Sequence, residues 1–187
     1  VSARTDRYAL GPGRTRDRTG RLTLTAPRAG WRRTISTGVP TTADAGLVVV
    51  TNWFESLTGI PPWVWLPTVD RRYAGVWTSA PAERATAIRG APHLRLQIRR
   101  QRAGTVIAYL YAVDALGIGR LIAHEPRTWR RGETRLDVRF PARRYDVPAG
   151  DRLAVVVDSV DPLYGDRGPR RPPLRFTGPS WLDVPVR

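Results

Sequence analysis

Six serines, two histidines and sixteen carboxylates are the residues of this sequence whose types could support acid–base or nucleophilic chemistry. A serine nucleophile needs a sharp strand-to-helix turn, written Gly-x-Ser-x-Gly, that exposes its oxygen to a neighbouring base. None of Ser2, Ser36, Ser56, Ser79, Ser159 and Ser180 stands in such a turn. The nearest approach, Gly178-Pro179-Ser180-Trp181-Leu182, lacks the second glycine and runs into a strand-like sequence, so it reads as a plain turn. His93 follows Pro92, and His124-Glu125 precedes Pro126. Each reads as a satisfied histidine at a strand end in preference to a triad base or a metal ligand. Asp158, Asp161 and Asp166 crowd one loop, where they could face one another as a hydrolytic pair or surround calcium. Pro162, Gly165 and nearby arginines make a charged loop the simpler reading. With no cysteine to add, no catalytic residue, metal site or cofactor is assigned.

Aromatic side chains are the stronger signal. Four of the seven tryptophans, Trp53, Trp63, Trp65 and Trp77, fall within 25 residues, and Phe54 adjoins the first. Such a group can form a platform for a sugar, a proline ring or a partner domain, or it can close one end of a core. Trp53, Phe54, Trp63, Trp65 and Trp77 are therefore the pocket-lining or interdomain candidates.

The elements that must position them are strands. Glycine and proline make up 34 of 187 residues, and no segment carries a sustained helical period. Residues 93–100 alternate, with Leu94, Leu96 and Ile98 on one face, and residues 134–140 do the same with Leu136, Val138 and Phe140. Residues 105–113 are apolar on both faces and predict a central or partner-covered strand. Further strands are expected at residues 21–25, 46–51, 74–79, 86–89, 120–125, 152–158 and 180–186. The prolines of residues 59–67 predict an irregular, well-packed loop. Residues 1–20, with Gly11-Pro12-Gly13, carry almost no apolar periodicity and read as a flexible basic arm ahead of a sandwich over residues 21–187.

The formal net charge of +15 raises nucleic acid and anionic surfaces as partners. All 31 basic residues are arginine, a bias expected of a GC-rich gene, and they are scattered over strand ends and turns. Solvated edges are thus expected in preference to a nucleic-acid face. No apolar run approaches the roughly 18 residues of a membrane span, so a soluble module is expected. The missing methionine fits a piece excised from a longer chain.

The stretch Tyr145-Asp146-Val147-Pro148-Ala149-Gly150-Asp151-Arg152-Leu153, opening an apolar strand, resembles the C-terminal domain of the X-Pro dipeptidyl-peptidase and cocaine-esterase family of serine hydrolases. Val76-Trp77-Thr78-Ser79-Ala80-Pro81, Ile88-Arg89-Gly90-Ala91-Pro92, Ala108-Tyr109-Leu110-Tyr111-Ala112-Val113-Asp114 and the closing Ser180-Trp181-Leu182-Asp183-Val184-Pro185-Val186 keep the family's order. The resemblance covers about residues 74–187, with Ala103-Gly104-Thr105 standing where the family often has Asp-Phe. It implies an all-β, galactose-binding-like jelly roll packed on an α/β-hydrolase domain. Such modules shape the substrate entrance and, in some members, an oligomer interface. The nucleophile, acid and base then come from the hydrolase domain, and the chemistry is hydrolysis of an ester, peptide or acyl bond. Two other classes remain open. A free-standing carbohydrate-binding sandwich requires exposed, coplanar Trp63 and Trp65, and an arginine-rich nucleic-acid binder requires one continuous basic stripe.

Overall fold

The computed structural model describes residues 4–13, 17–43, 63–99, 102–164 and 172–187. Alternation of apolar and polar side chains there produces strands: β1 (Arg4–Leu10), β2 (Gly20–Thr23), β3 (Arg32–Ile35), β4 (Trp63–Trp65), β5 (Gly75–Thr78), β6 (Thr86–Gly90), β7 (His93–Ile98), β8 (Gly104–Val113), β9 (Ile118–Trp129), β10 (Arg135–Arg139), β11 (Arg143–Val147), β12 (Arg152–Asp158) and β13 (Leu174–Val186). The other regular elements among the described residues are two single-turn 3-10 segments, Leu66–Thr68 and Pro162–Tyr164.

The strands form two layers. In the first, the order is β10-β7-β13-β1-β2, with β3 beside the first residues of β13 and β6-β11 joined at its last ones. In the second it is β2-β5-β12-β8-β9-β4. Strand β2 serves both, antiparallel to β1 and parallel to β5, and so turns the corner between them. Leu94, Leu96, Leu136, Val138, Phe176, Leu182 and Val184 of the first layer meet Val106, Ala108, Leu110, Val155 and Val157 of the second in one core. This is the all-β sandwich expected from the sequence.

The second layer is covered on its other face as well. Ile107, Tyr109, Tyr111, Val113, Ala154 and Val156 point away from the sandwich and pack beneath Val64, Leu66 and Val69. Strand β8 is therefore buried on both sides, as its unbroken apolar sequence requires.

Several elements depart from the sequence reading. Residues 4–10, expected within a flexible basic arm, form β1, which pairs with β13 from Arg4↔Val186 to Ala9↔Trp181. Its backbone bonds to β13, so the pairing needs no apolar alternation, and only its last two residues, Ala9 and Leu10, are buried in the core. Strands β3 and β11 escaped notice for the same reason, being short, arginine-rich and paired at an edge. Inside the expected irregular loop, Trp63–Trp65 forms β4, an edge strand too short to reach the prolines on either side. Strand β9 runs through Pro126 to Trp129, and β13 starts at Leu174, shifting register between Thr177 and Trp181 where Gly178 and Pro179 stand. Gly178 is needed there: a Cβ would sit 1.9 Å from the Arg28 carbonyl oxygen. The strand expected at residues 46–51 lies outside the described residues.

Val155 lies in the middle of β12, fully buried between the layers. Val155→Asp places an unpaired carboxylate there and is expected to cost about 3 kcal/mol or more in urea denaturation. An unchanged unfolding midpoint would remove β12 from the core.

Candidate functional site

The tryptophans divide into two kinds. Strand β4 closes the second layer, paired with β9 as Trp63↔Arg120, Val64↔Gly119 and Trp65↔Ile118. Alternation sends Val64 down onto Gly119 and Tyr111 and leaves the two indoles on the opposite side, about 7 Å apart along the strand. Trp63 is 65% and Trp65 51% exposed, and Leu116, in the turn before β9, is 75% exposed. Trp65 Nε1 donates to the Leu116 carbonyl oxygen at 3.1 Å, which fixes one indole against that turn. Arg120 stands opposite Trp63, within 3.7 Å of Asp151 and 4.0 Å of Asp114. The result is an aromatic edge with one tethered guanidinium.

Trp77, a pocket-lining or interdomain candidate in the sequence, is instead a core residue, 1% exposed. It meets Trp31 and Phe176 edge-on at 6.1 and 5.7 Å, and its Nε1 donates to the Gly11 carbonyl oxygen at 3.1 Å. Gly20 and Gly75 make room for the ring, since a Cβ on either would lie within 2.6 Å of it. Trp53 and Phe54 lie outside the described residues.

On the outward face of the second layer is a polar cluster that sequence reading did not assemble. Tyr109 donates to Asp161 Oδ2 at 2.5 Å, and Thr41 donates to Asp158 Oδ2 at 2.6 Å. Asp161 Oδ1 also accepts the Leu163 N–H at 2.6 Å. His124 lies alongside Tyr109, ring centroids 6.3 Å apart, and its Nδ1 bonds the Tyr164 hydroxyl at 2.8 Å. Asp158 and Asp161 are both buried. Burial pushes the Tyr109 hydroxyl far up, and the Asp158 and Asp161 carboxylates push it further, so it stays a donor at any working pH. Burial also holds His124 below the usual histidine value; Arg143 adds to this, while Asp161 and Glu125 oppose it. The signal available in sequence was Asp158 with Asp161 directly after an apolar strand, and Tyr109 on a strand covered on both faces.

The remaining polar candidates hold backbone or one another. Ser79 Oγ accepts the Leu153 N–H and donates to the Ala80 carbonyl oxygen, and buried Ser180 bonds the Gln97 N–H and the Thr177 carbonyl oxygen. His93 Nε2 lies 3.1 Å from Asp137 on the first layer. Asp166 lies outside the described residues. Among the described residues no group of three or more metal-ligating side chains gathers. Asp158 and Asp161, weighed above as a hydrolytic pair, are held under cover by hydroxyls and a backbone N–H.

A β-sandwich whose inner polar groups are tied to one another and to its own backbone, and which presents an aromatic edge to solvent, has the make-up of an accessory module. The chain belongs to the family of the X-Pro dipeptidyl-peptidase C-terminal non-catalytic domain, whose model matches residues 3–180. The likeness thus reaches well ahead of residue 74, where the sequence resemblance began. Among solved structures, an aminopeptidase from a marine sediment Thaumarchaeota archaeon aligns with a TM-score of 0.67 and 14% identity over 96% of this chain and 37% of its own. A CocE/NonD family hydrolase from Staphylococcus aureus aligns with 0.60 and 11% over 100% and 37%, and an α-amino acid ester hydrolase with 0.57 and 14% over 96% and 36%. The chain therefore spans little more than a third of these solved chains, and at such identities the likeness is one of fold. Comparison with curated protein sequences found no match.

Two expectations follow from the polar cluster. Tyr109→Phe leaves the buried Asp161 carboxylate one donor short and should cost about 1 to 3 kcal/mol in chemical denaturation; no change would mean that the hydroxyl does not reach it. His124 has a folded-state pKa below its unfolded value, so below about pH 6.5 the unfolded chain takes up a proton that the folded chain refuses. Tm should then fall as the pH drops from that point toward the folded pKa, and His124→Gln should flatten part of the slope. Identical slopes would show that His124 is not held neutral.

Proposed function

We propose that this chain is the accessory C-terminal module of a serine hydrolase of the X-Pro dipeptidyl-peptidase or acyl-esterase type. It docks through its Trp63–Trp65 edge on an α/β-hydrolase domain and shapes the approach to that domain's active site. The observation that carries this reading is the aromatic edge. Nearly every other large apolar side chain described is inside, whereas two indoles and Leu116 stand together in solvent. Exposed tryptophans clustered around an arginine are the composition of an interface centre, where each indole contributes roughly 2 kcal/mol or more once covered.

The reaction class is hydrolysis of an ester, peptide or acyl bond. The similar folds named above occur in an aminopeptidase and in an ester hydrolase, so both bond types are kept. A fold confers no activity by itself, and the catalytic serine, acid and base belong to the hydrolase domain.

Expression of the whole open reading frame that contains this chain tests the proposal. The product is expected to carry a Gly-x-Ser-x-Gly elbow and to hydrolyse X-Pro p-nitroanilides or p-nitrophenyl esters. Trp63→Ser combined with Trp65→Ser should raise KM about tenfold, ~1.4 kcal/mol, and split one unfolding transition into two. A frame without the elbow, or a double variant with unchanged KM and a single transition, overturns the reading.

A further inference from the structure

Three arginines converge at the end of the sandwich where the approach to β2, strand β3 and the turn before β5 meet. Arg33 donates Nη1 to the Arg18 carbonyl oxygen and Nη2 to those of Arg71 and Ala74, at 3.2 and 3.4 Å. Arg71 donates Nη1 to the carbonyl oxygens of Leu66, Pro67 and Val69, and its Nε lies 3.4 Å from Thr19 Oγ1. Arg18 donates Nη2 to the Thr34 carbonyl oxygen at 3.3 Å. Carbonyl dipoles satisfy these donors but neutralise no charge. None of the three arginines forms an ion pair among the described residues, although ten such pairs are made elsewhere. Asp70, the nearest acid in sequence to Arg71, is held by Arg72 at 2.6 Å. Asp17 acts on Arg33 and Arg71, and Asp70 on Arg71 and Arg18, without forming an ion pair to any of the three; the Asp17 carboxylate accepts the Thr19 N–H.

The crowding leaves marks. Burial, and then the charges of Arg18 and Arg71, bring the Arg33 guanidinium down to about 10. Arg33 Nε is buried without an acceptor among the described residues. Arg18 is the single described non-glycine residue with positive φ, at 58°, a strained conformation that aims its carbonyl at Arg33.

We propose that Arg18, Arg33 and Arg71 form an oxyanion-binding site that takes a phosphate group, adding negative charge where none of the three guanidiniums has an ion-pair partner among the described residues. Guanidinium forks match tetrahedral oxyanions, and the exposed Arg18 closes on the ligand. The phosphate comes either free in solution or as a phosphomonoester, and the same assay separates the two.

Thermal unfolding of the full chain is followed at constant ionic strength while chloride is replaced by inorganic phosphate, and in a second arm by glycerol 3-phosphate. Phosphate is expected to raise Tm by roughly 3 to 5 °C when present about tenfold above its dissociation constant. Arg18→Asn keeps a residue that tolerates positive φ and should lose most of that rise while its Tm without phosphate is retained. Arg139→Asn, on the outward face of β10, should keep the rise in full. A larger rise with glycerol 3-phosphate assigns the site to esters, and a smaller one to free phosphate. No rise, or an equal loss in Arg139→Asn, overturns the site.

Discussion

Burial of the second layer on both faces is the constraint from which the other features follow. Residues 106–113 are all inside, alternately facing the sandwich and facing away from it. A two-layer sandwich covers one of those faces; the other is covered by the second layer's own edge strand β4 and the chain that follows it. Residues 63–74 do this, with Val64, Leu66 and Val69 pressed onto Tyr111 and its neighbours. Pressing Val64 down lifts Trp63 and Trp65 out, because residues two apart on a strand share a face. The aromatic edge is thus the reverse side of a packing requirement. The polar cluster has the same origin: Asp158 and Asp161 fall under cover at the end of β12, so hydroxyls of Thr41 and Tyr109 must reach them.

Strands whose own side chains alternate were legible in the sequence. Leu94, Leu96 and Ile98 in β7, and Leu136 and Val138 in β10, are buried on the face that alternation assigned, and β8 is covered on both sides as its composition required. Strands held by a distant partner were not. In β1 the residues Arg4, Thr5, Asp6 and Arg7 carry no apolar pattern; what makes them a strand is the backbone of β13, more than 170 residues away. Closing the two chain ends against each other is a long-range event, and local patterning holds no record of it. Prolines misled in the other direction, since Pro126 and Pro179 each sit within a strand that the sequence seemed to end or start there.

The candidate site was half legible. The density of tryptophans marked this region, yet Trp65 and Trp77 look alike in the sequence, each preceded by a valine. What separates them is space: Gly20 and Gly75 open a hole for the Trp77 ring inside the core, whereas Trp63 and Trp65 stand in solvent. Gly20 lies 57 positions before the residue it accommodates, so the pairing is a property of the fold. The acids were legible as a cluster but not as a buried one, because cover arrives from Thr41 and Tyr109, both remote in sequence.

Charge on the first layer is met largely within the chain itself. On the outward face of the first layer, Trp181 is flanked by Arg7 and Arg95, each 5.4 Å from the ring centroid. Asp183 pairs with both of those arginines, and Asp137 pairs with Arg95 and His93. Those guanidiniums answer to the chain's own carboxylates, so the large positive count does not gather there into a continuous stripe of the kind a nucleic-acid backbone would track. Elsewhere, arginines cap carbonyls that turns leave exposed, a use for which a planar five-donor head is better shaped than an ammonium. Arginine in this chain is largely a structural material. Where that use is densest, around Arg33, three guanidiniums meet with carbonyls as their partners and no ion pair among the described residues.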